Sequence, residues 1–183
     1  MLAGSNTAKT GIELFMKTIP PEEPSDFSKP KIEPDDDKPL WVIPDSRGVL
    51  QGLLHVHRRS EYAKDIIVLV SDKTSKAYLD YLKERNYDYI VAGSDHVDLR
   101  LALEELNKRY RIETVVTDTG GVLASILLEQ GFVSEVHLLV TPQIVGKKGV
   151  NLFRNLNKLV KLELLKSEVV DKNHVLLAYK VLN

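Results

Sequence analysis

The chain has 183 residues, 43% of them hydrophobic and 28% charged, enough for one domain with a covered sheet and incompatible with wholesale disorder. It contains no cysteine, which excludes disulfides, thiolate nucleophiles and thiolate metal sites. The net charge of −1 gives no global field toward nucleic acid or an anionic membrane, and no apolar stretch approaches a membrane-spanning length, so neither partner is expected.

The N-terminus Met1-Leu2-Ala3-Gly4 lacks the basic-then-apolar layout of a signal peptide, and a cytoplasmic location is the simplest expectation. Met1-Leu2-Ala3 reads as the end of a strand running into Gly4-Ser5-Asn6-Thr7, a start that suggests lost upstream sequence. From Pro20 to Pro39 the prolines Pro20, Pro21, Pro24, Pro30, Pro34 and Pro39, with the acidic run Asp35-Asp36-Asp37, oppose regular structure. This span is expected to be a long surface loop and a solvated connector.

Regular alternation follows. Leu40-Trp41-Val42-Ile43 reads as a buried strand closed by the turn Pro44-Asp45-Ser46-Arg47-Gly48, and Asp65 to Val70 as a second strand bounded by Ser71-Asp72. Ser75 to Asn86 carries Tyr78, Leu79 and Leu82 at helical spacing. Tyr87 to Ala92 is a third strand, closed by Gly93-Ser94-Asp95. Asp98 can cap a helix running through Tyr110 with Leu99, Ala102, Leu103 and Leu106 inward. Thr114 to Thr117 is a fourth strand, Gly120-Gly121 opens a helix to Gln130, and Glu135 to Val140 is a fifth strand. Val160 to Val170 and Val175 to Val181 flank Asp171-Lys172-Asn173 as a hairpin. The pattern predicts an α/β fold: a mostly parallel sheet flanked by helices, with an antiparallel C-terminal hairpin at its edge.

In such a sheet, ligands bind beyond the carboxyl ends of the strands. Asp118-Thr119-Gly120-Gly121 joins a strand end directly to a helix. Its glycines either let a pyrophosphate approach the helix N-terminus or serve only a tight strand-to-helix turn. Asp45-Ser46-Arg47-Gly48 offers a hydroxyl and a guanidinium suited to a phosphate monoester, such as the 2′-phosphate of NADPH; the alternative is a plain turn with Arg47 in solvent. Ser71 with Lys73 is a second candidate for that role. Asp118 either meets a polar substrate or caps the following helix. His55 and His57, at i and i+2, do not share a helical face, and no metal-ligand motif occurs; His96, His137 and His174 read as surface or strand positions.

Several blocks in order resemble the riboflavin-biosynthesis pyrimidine reductases. They are Gly4-Ser5-Asn6-Thr7; Val42-Ile43-Pro44-Asp45-Ser46-Arg47-Gly48; Val97-Asp98-Leu99 with Ala102 to Leu106; Asp118-Thr119-Gly120-Gly121-Val122-Leu123; and Gly131 to Val136 with Thr141 to Gly146. The resemblance implies a dihydrofolate-reductase-like fold over 1–183 as a single domain. It further implies NADPH-dependent reduction of a diaminopyrimidinone ribosylamino 5′-phosphate to the ribityl form, by a homodimer. By position, Thr7, Asp45, Ser46, Arg47, Gly120, Gly121 and Val122 would meet the cofactor, and Ser5, Asn6 and Asp118 the substrate. No catalytic residue and no metal site are assigned.

The chain also departs from the family pattern. Asp118-Thr119-Gly120 stands where Glu-Gly-Gly is usual, Ala124 where Asn is common, and Gly11 where an acidic residue is expected, and the arginine expected shortly beyond is not found. The family's first strand should precede Met1. These departures favour an alternative, a non-catalytic or truncated dimeric module of the same fold. A third reading is a reductase for another pyrimidine or pterin-like substrate, its specificity altered by the Pro20–Pro39 loop.

Overall fold

The apolar run at 66–70 becomes the centre of a parallel sheet. In the computed structural model, which describes residues 1–31, 37–153 and 155–182, β1 (Trp41–Pro44), β2 (Ile66–Val70) and β3 (Asp88–Val91) pair in the order β1-β2-β3, all parallel. All five residues of β2 are buried. Side chains alternate between faces, so both faces of this strand are covered, which suits a β-branched run without polar alternation. Ile66, Val68 and Val70 join a core with Ile43, Leu50, Leu54, Tyr78, Tyr81, Leu82 and Tyr87. Each such aliphatic side chain contributes roughly 1.5–3 kcal/mol by leaving water.

Met1–Ala3 extends the sheet past β1. Leu2 forms parallel bridges to both Val42 and Thr117. The Leu2 N–H donates to the Val116 carbonyl at 2.8 Å, Ala3 N–H to Val42 O at 3.0 Å, and Val42 N–H to Met1 O at 2.8 Å. The strand expected over Thr114–Thr117 is reduced to that one bridge. Among the described residues its partner is a three-residue segment, too short for a ladder, and Val116 is left 65% exposed.

Helices connect the strands. α1 (Ser5–Phe15) starts directly after the Leu2 segment and buries Ala8 and Ile12; its helical character was not expected from the sequence. α2 (Leu54–Arg58) is short and fully buried. α3 (Lys76–Glu84) is capped by the Ser75 side chain. α4 (Leu99–Tyr110) is capped by Asp98, whose carboxylate accepts from the N–H groups of Arg100 and Leu101, and it buries Leu99, Ala102 and Leu106, three of the four positions expected to face inward.

The proline-rich span is only partly a solvated connector. Pro24–Phe27 forms a 3-10 turn, with Asp26 accepting from the Glu23 N–H at 2.7 Å. Three arginines tie the segment down. The Arg58 guanidinium is buried against the Tyr87 ring, 3.7 Å from its centroid. It donates to the carbonyls of Asp26, Arg85 and Asn86 and to Asp65 Oδ1, all within 2.8–3.0 Å. Arg59 holds both carboxylate oxygens of Asp26. Arg85 holds both oxygens of Glu22 at 2.8 Å while lying over the rings of Tyr81 and Phe27. Pro34, Asp35 and Asp36 lie outside the described residues.

The elements so far lie within Met1–Thr119, one of two compact units; the second is Gly120–Asn183. It holds α5 (Gly121–Glu129) and a separate antiparallel sheet of β4 (Glu135–Val140), β5 (Lys161–Val170) and β6 (His174–Leu182), in the order β4-β6-β5. The expected hairpin is present. Its strands belong to this separate antiparallel sheet and not to the parallel one: β6 pairs with β5 on one side and with β4 on the other. Its turn places Asp171 and Lys172 in the left-handed region, at φ 48° and 62°.

Candidate functional site

Because β1, β2, β3 and the Leu2 and Thr117 positions run parallel, the segments that follow them emerge at one edge of the sheet. These are Gly4–Thr7, Asp45–Gly48, Ser71–Thr74, Gly93–Asp98 and Asp118–Thr119. The chain moves outward from Leu2 through β1, β2 and β3, then returns to Thr117 on the other side of Leu2. The order therefore reverses between Leu2 and Thr117, and such a switch point opens a crevice beyond the strand ends.

Ser5, Asn6 and Thr7 form the first turn of α1 at that point. Gly4 is the N-cap, and no side chain caps the helix, so its dipole favours an anion there. Thr119 sits beside it: its hydroxyl oxygen accepts from the Gly4 N–H at 3.3 Å and lies 3.4 Å from the Thr7 hydroxyl. Asp118 is exposed. From Asn6 and Thr7, a shallow groove of about 390 Å³ runs along α1 past Thr10 and Gly11 to Leu14 and Phe15.

One strand away, the turn after β1 divides its residues between inside and outside. Asp45 is 2% exposed. Its Oδ1 accepts from Val49 N–H, and its Oδ2 from Leu50 N–H and the Tyr78 hydroxyl, each at 2.9 Å. Both oxygens are thus engaged by the protein, which makes Asp45 a brace of the turn, whereas the sequence had pointed to a cofactor contact. Ser46 is half-buried and Arg47 exposed, and among the described residues Arg47 forms no ion pair.

The second phosphate candidate is less open. The Lys73 ammonium pairs with Asp95 at 2.8 Å, and Ser71 is buried, its hydroxyl donating to Asp95 O at 3.3 Å. A carboxylate beside the cation disfavours a further anion.

In the second unit, Gly120 is the N-cap of α5 with φ −66°, and no side chain caps that helix. At Gly121 a Cβ would lie 2.7 Å from the Leu152 carbonyl oxygen. The glycine at 121 is therefore required by a close backbone approach, and neither glycine is in the left-handed region. Val122 is 45% exposed.

The histidines of α2 face inward. His55 Nε2 lies 2.8 Å from the Pro20 carbonyl, and the His57 ring packs against Trp41 at a 32° tilt with centroids 5.3 Å apart. Burial pushes the His57 pKa down. Among the described residues no cluster of three potential metal ligands occurs, and no helix is long and apolar enough to cross a membrane.

The Thr7–Thr119 contact and the Asp45–Tyr78 brace were missed at the sequence level. They join residues 112 and 33 positions apart, and Tyr78 reads simply as an apolar position of its helix.

The family described as RibD C-terminal domain matches residues 1–176. The riboflavin biosynthesis protein RibD of Actinobacillus pleuropneumoniae is 29% identical over 160 residues, covering 82% of this chain and 41% of that protein. The chain thus spans less than half the length of that curated relative. Among solved structures, a pyrimidine reductase-like protein from Corynebacterium diphtheriae superposes with a TM-score of 0.68 at 17% identity, covering 100% of this chain and 75% of the other. The yeast riboflavin biosynthesis reductase Rib7 gives 0.62 at 19% identity, covering 99% and 74%. These two likenesses show the fold.

Proposed function

Since the chain belongs to the RibD C-terminal domain family, we propose that it is an NADPH-dependent reductase of riboflavin biosynthesis. Its substrate would be a diaminopyrimidinone ribosylamino 5′-phosphate, converted to the ribitylamino form. The observation that carries this reading is the pairing, at one sheet edge, of Ser46 and an exposed Arg47 that forms no ion pair among the described residues with the start of α1 at the switch point, where the N-cap is a glycine with no side chain to offer. A phosphate monoester fits the first and a pyrophosphate or sugar phosphate the second.

The bound cofactor would supply the hydride, delivered to C1′ of the opened imine. Arg47 and Ser46 would hold the 2′-phosphate by charge-assisted hydrogen bonds. Thr7 would stand at the cofactor's edge, its hydroxyl oriented by Thr119. Ser5, Asn6 and Asp118 would orient the polar substrate. Holding two reactants in register is the main catalytic contribution such residues can make.

A homodimer is part of the proposal. Every residue of β5 is exposed, with Leu162, Leu164, Leu165 and Val169 between 40% and 68%; apolar exposure on that scale marks an association surface. The rival reading, a module without activity, is favoured by Thr119 and Ala124 in place of the family's Gly and Asn. Turnover separates the two: substrate-dependent oxidation of NADPH by the purified chain is expected, with a ribitylamino product. Cofactor binding without any oxidation would favour the inactive module.

A further inference from the structure

The turn that carries Ser46 and Arg47 has a brace beneath it, and the geometry points to Tyr78 as the residue that sets its shape for a phosphate. We infer that Tyr78, through Asp45, is a positioning residue that makes this site prefer a phosphorylated dinucleotide over its unphosphorylated counterpart. The inference rests on the NADPH reading above and adds to it a residue that no ligand touches.

Three observations carry it. The Tyr78 hydroxyl donates to Asp45 Oδ2 at 2.9 Å, and the same carboxylate gathers the N–H groups of Val49 and Leu50. The backbone from Asp45 to Leu50 is thereby closed around one anchor, with Ser46 and Arg47 on its outer side. Gly48 rests on the Tyr78 ring. Its φ is +69°, and a Cβ there would stand 3.0 Å from Tyr78 Cγ, so the ring fixes how deep the turn sits. Finally, Tyr78 and Asp45 are 1% and 2% exposed, so the pair acts from beneath the turn. Burial, with the Asp45 charge second, holds the Tyr78 phenol protonated well above its ordinary range, so it acts as a donor throughout the working pH range.

The physical consequence is selective. A guanidinium and a hydroxyl recognise a phosphate only when their directions are fixed, because a charge-assisted pair loses most of its advantage when its geometry loosens. The unphosphorylated dinucleotide makes no use of those directions, so loosening the turn leaves its affinity nearly unchanged.

The test is calorimetric titration of NADPH and NADH into the full chain and its Tyr78→Phe variant, which keeps the ring under Gly48 and removes only the hydroxyl. The variant is expected to weaken NADPH binding by about fivefold to tenfold, with less than a twofold change for NADH. Asp45→Asn is a second route to the same loss of preference, should Tyr78→Phe prove unstable. An unchanged NADPH-to-NADH ratio in a folded Tyr78→Phe chain, or an equal loss for both cofactors, overturns the inference. The two levels separate through Arg47→Ala. Loss of preference in Arg47→Ala but not in Tyr78→Phe removes the positioning role and leaves the cofactor reading intact. No preference in the unmodified chain removes both.

Discussion

Gly121 illustrates how packing alone can fix the identity of one residue. A methyl group at this position would come within 2.7 Å of the Leu152 carbonyl oxygen and 3.1 Å of that of Asn151. These are backbone atoms and cannot rotate away. Gly121→Ala is therefore expected to destabilise the chain by roughly 1–3 kcal/mol, the usual cost of overpacking, measurable by chemical denaturation. An unchanged midpoint would mean that the 151–152 backbone yields freely. Asp45 makes the complementary point. A buried carboxylate receiving three donors is a structural anchor, whereas the guanidinium two residues later is exposed.

At the scale of elements, the informative one is the strap from Pro20 to Ser28. The guanidinium of Arg85 hydrogen-bonded to Glu22, and that of Arg59 hydrogen-bonded to Asp26, hold both carboxyls below their usual range. A depressed folded-state pKa contributes stability that is fully present above the unfolded value, near 4, and is lost as pH falls toward the folded value. His57 adds to this at higher pH. Its folded pKa lies below the ordinary value of about 6.5, so the unfolded chain takes up the proton first and stability declines as pH drops through that range. Urea unfolding between pH 7 and pH 3 should show both phases. Glu22→Gln with Asp26→Asn should flatten the lower phase and leave the upper one. An unaltered lower phase would show that the strap's ion pairs do not support the native state.

Local patterns were legible in the sequence and distant pairings were not. The Asp98 cap reaches only two and three residues ahead, and the 171–173 hairpin turn joins neighbouring strands, so residue type and spacing disclose both. Prolines signalled that 20–39 would lack long regular elements, which holds for the described part. Nothing local, however, told Arg58, Arg59 and Arg85 which carbonyls and carboxylates they would meet. The strand expected before Asp118 failed for a related reason: a β-branched run needs a partner of matching length, and partner length is a tertiary fact. At the candidate site, Ser46, Arg47 and the glycines stand out from their places at strand ends and from resemblance. The supports, Tyr78 and Thr119, lie 33 and 112 residues from what they hold.

For the whole molecule, one parallel sheet gathers five chain segments at a single edge, with the order of strands reversing beside Leu2. The account stands on that edge being a site for a phosphorylated dinucleotide, with Arg47 as its discriminating charge. The most direct measurement is a paired titration of NADPH and NADH into the unmodified chain and into Arg47→Ala. The account predicts NADPH binding about tenfold or more tighter than NADH, with the difference largely abolished by Arg47→Ala and NADH affinity retained. Equal affinity for the two cofactors, or an NADPH preference that survives Arg47→Ala, would contradict it.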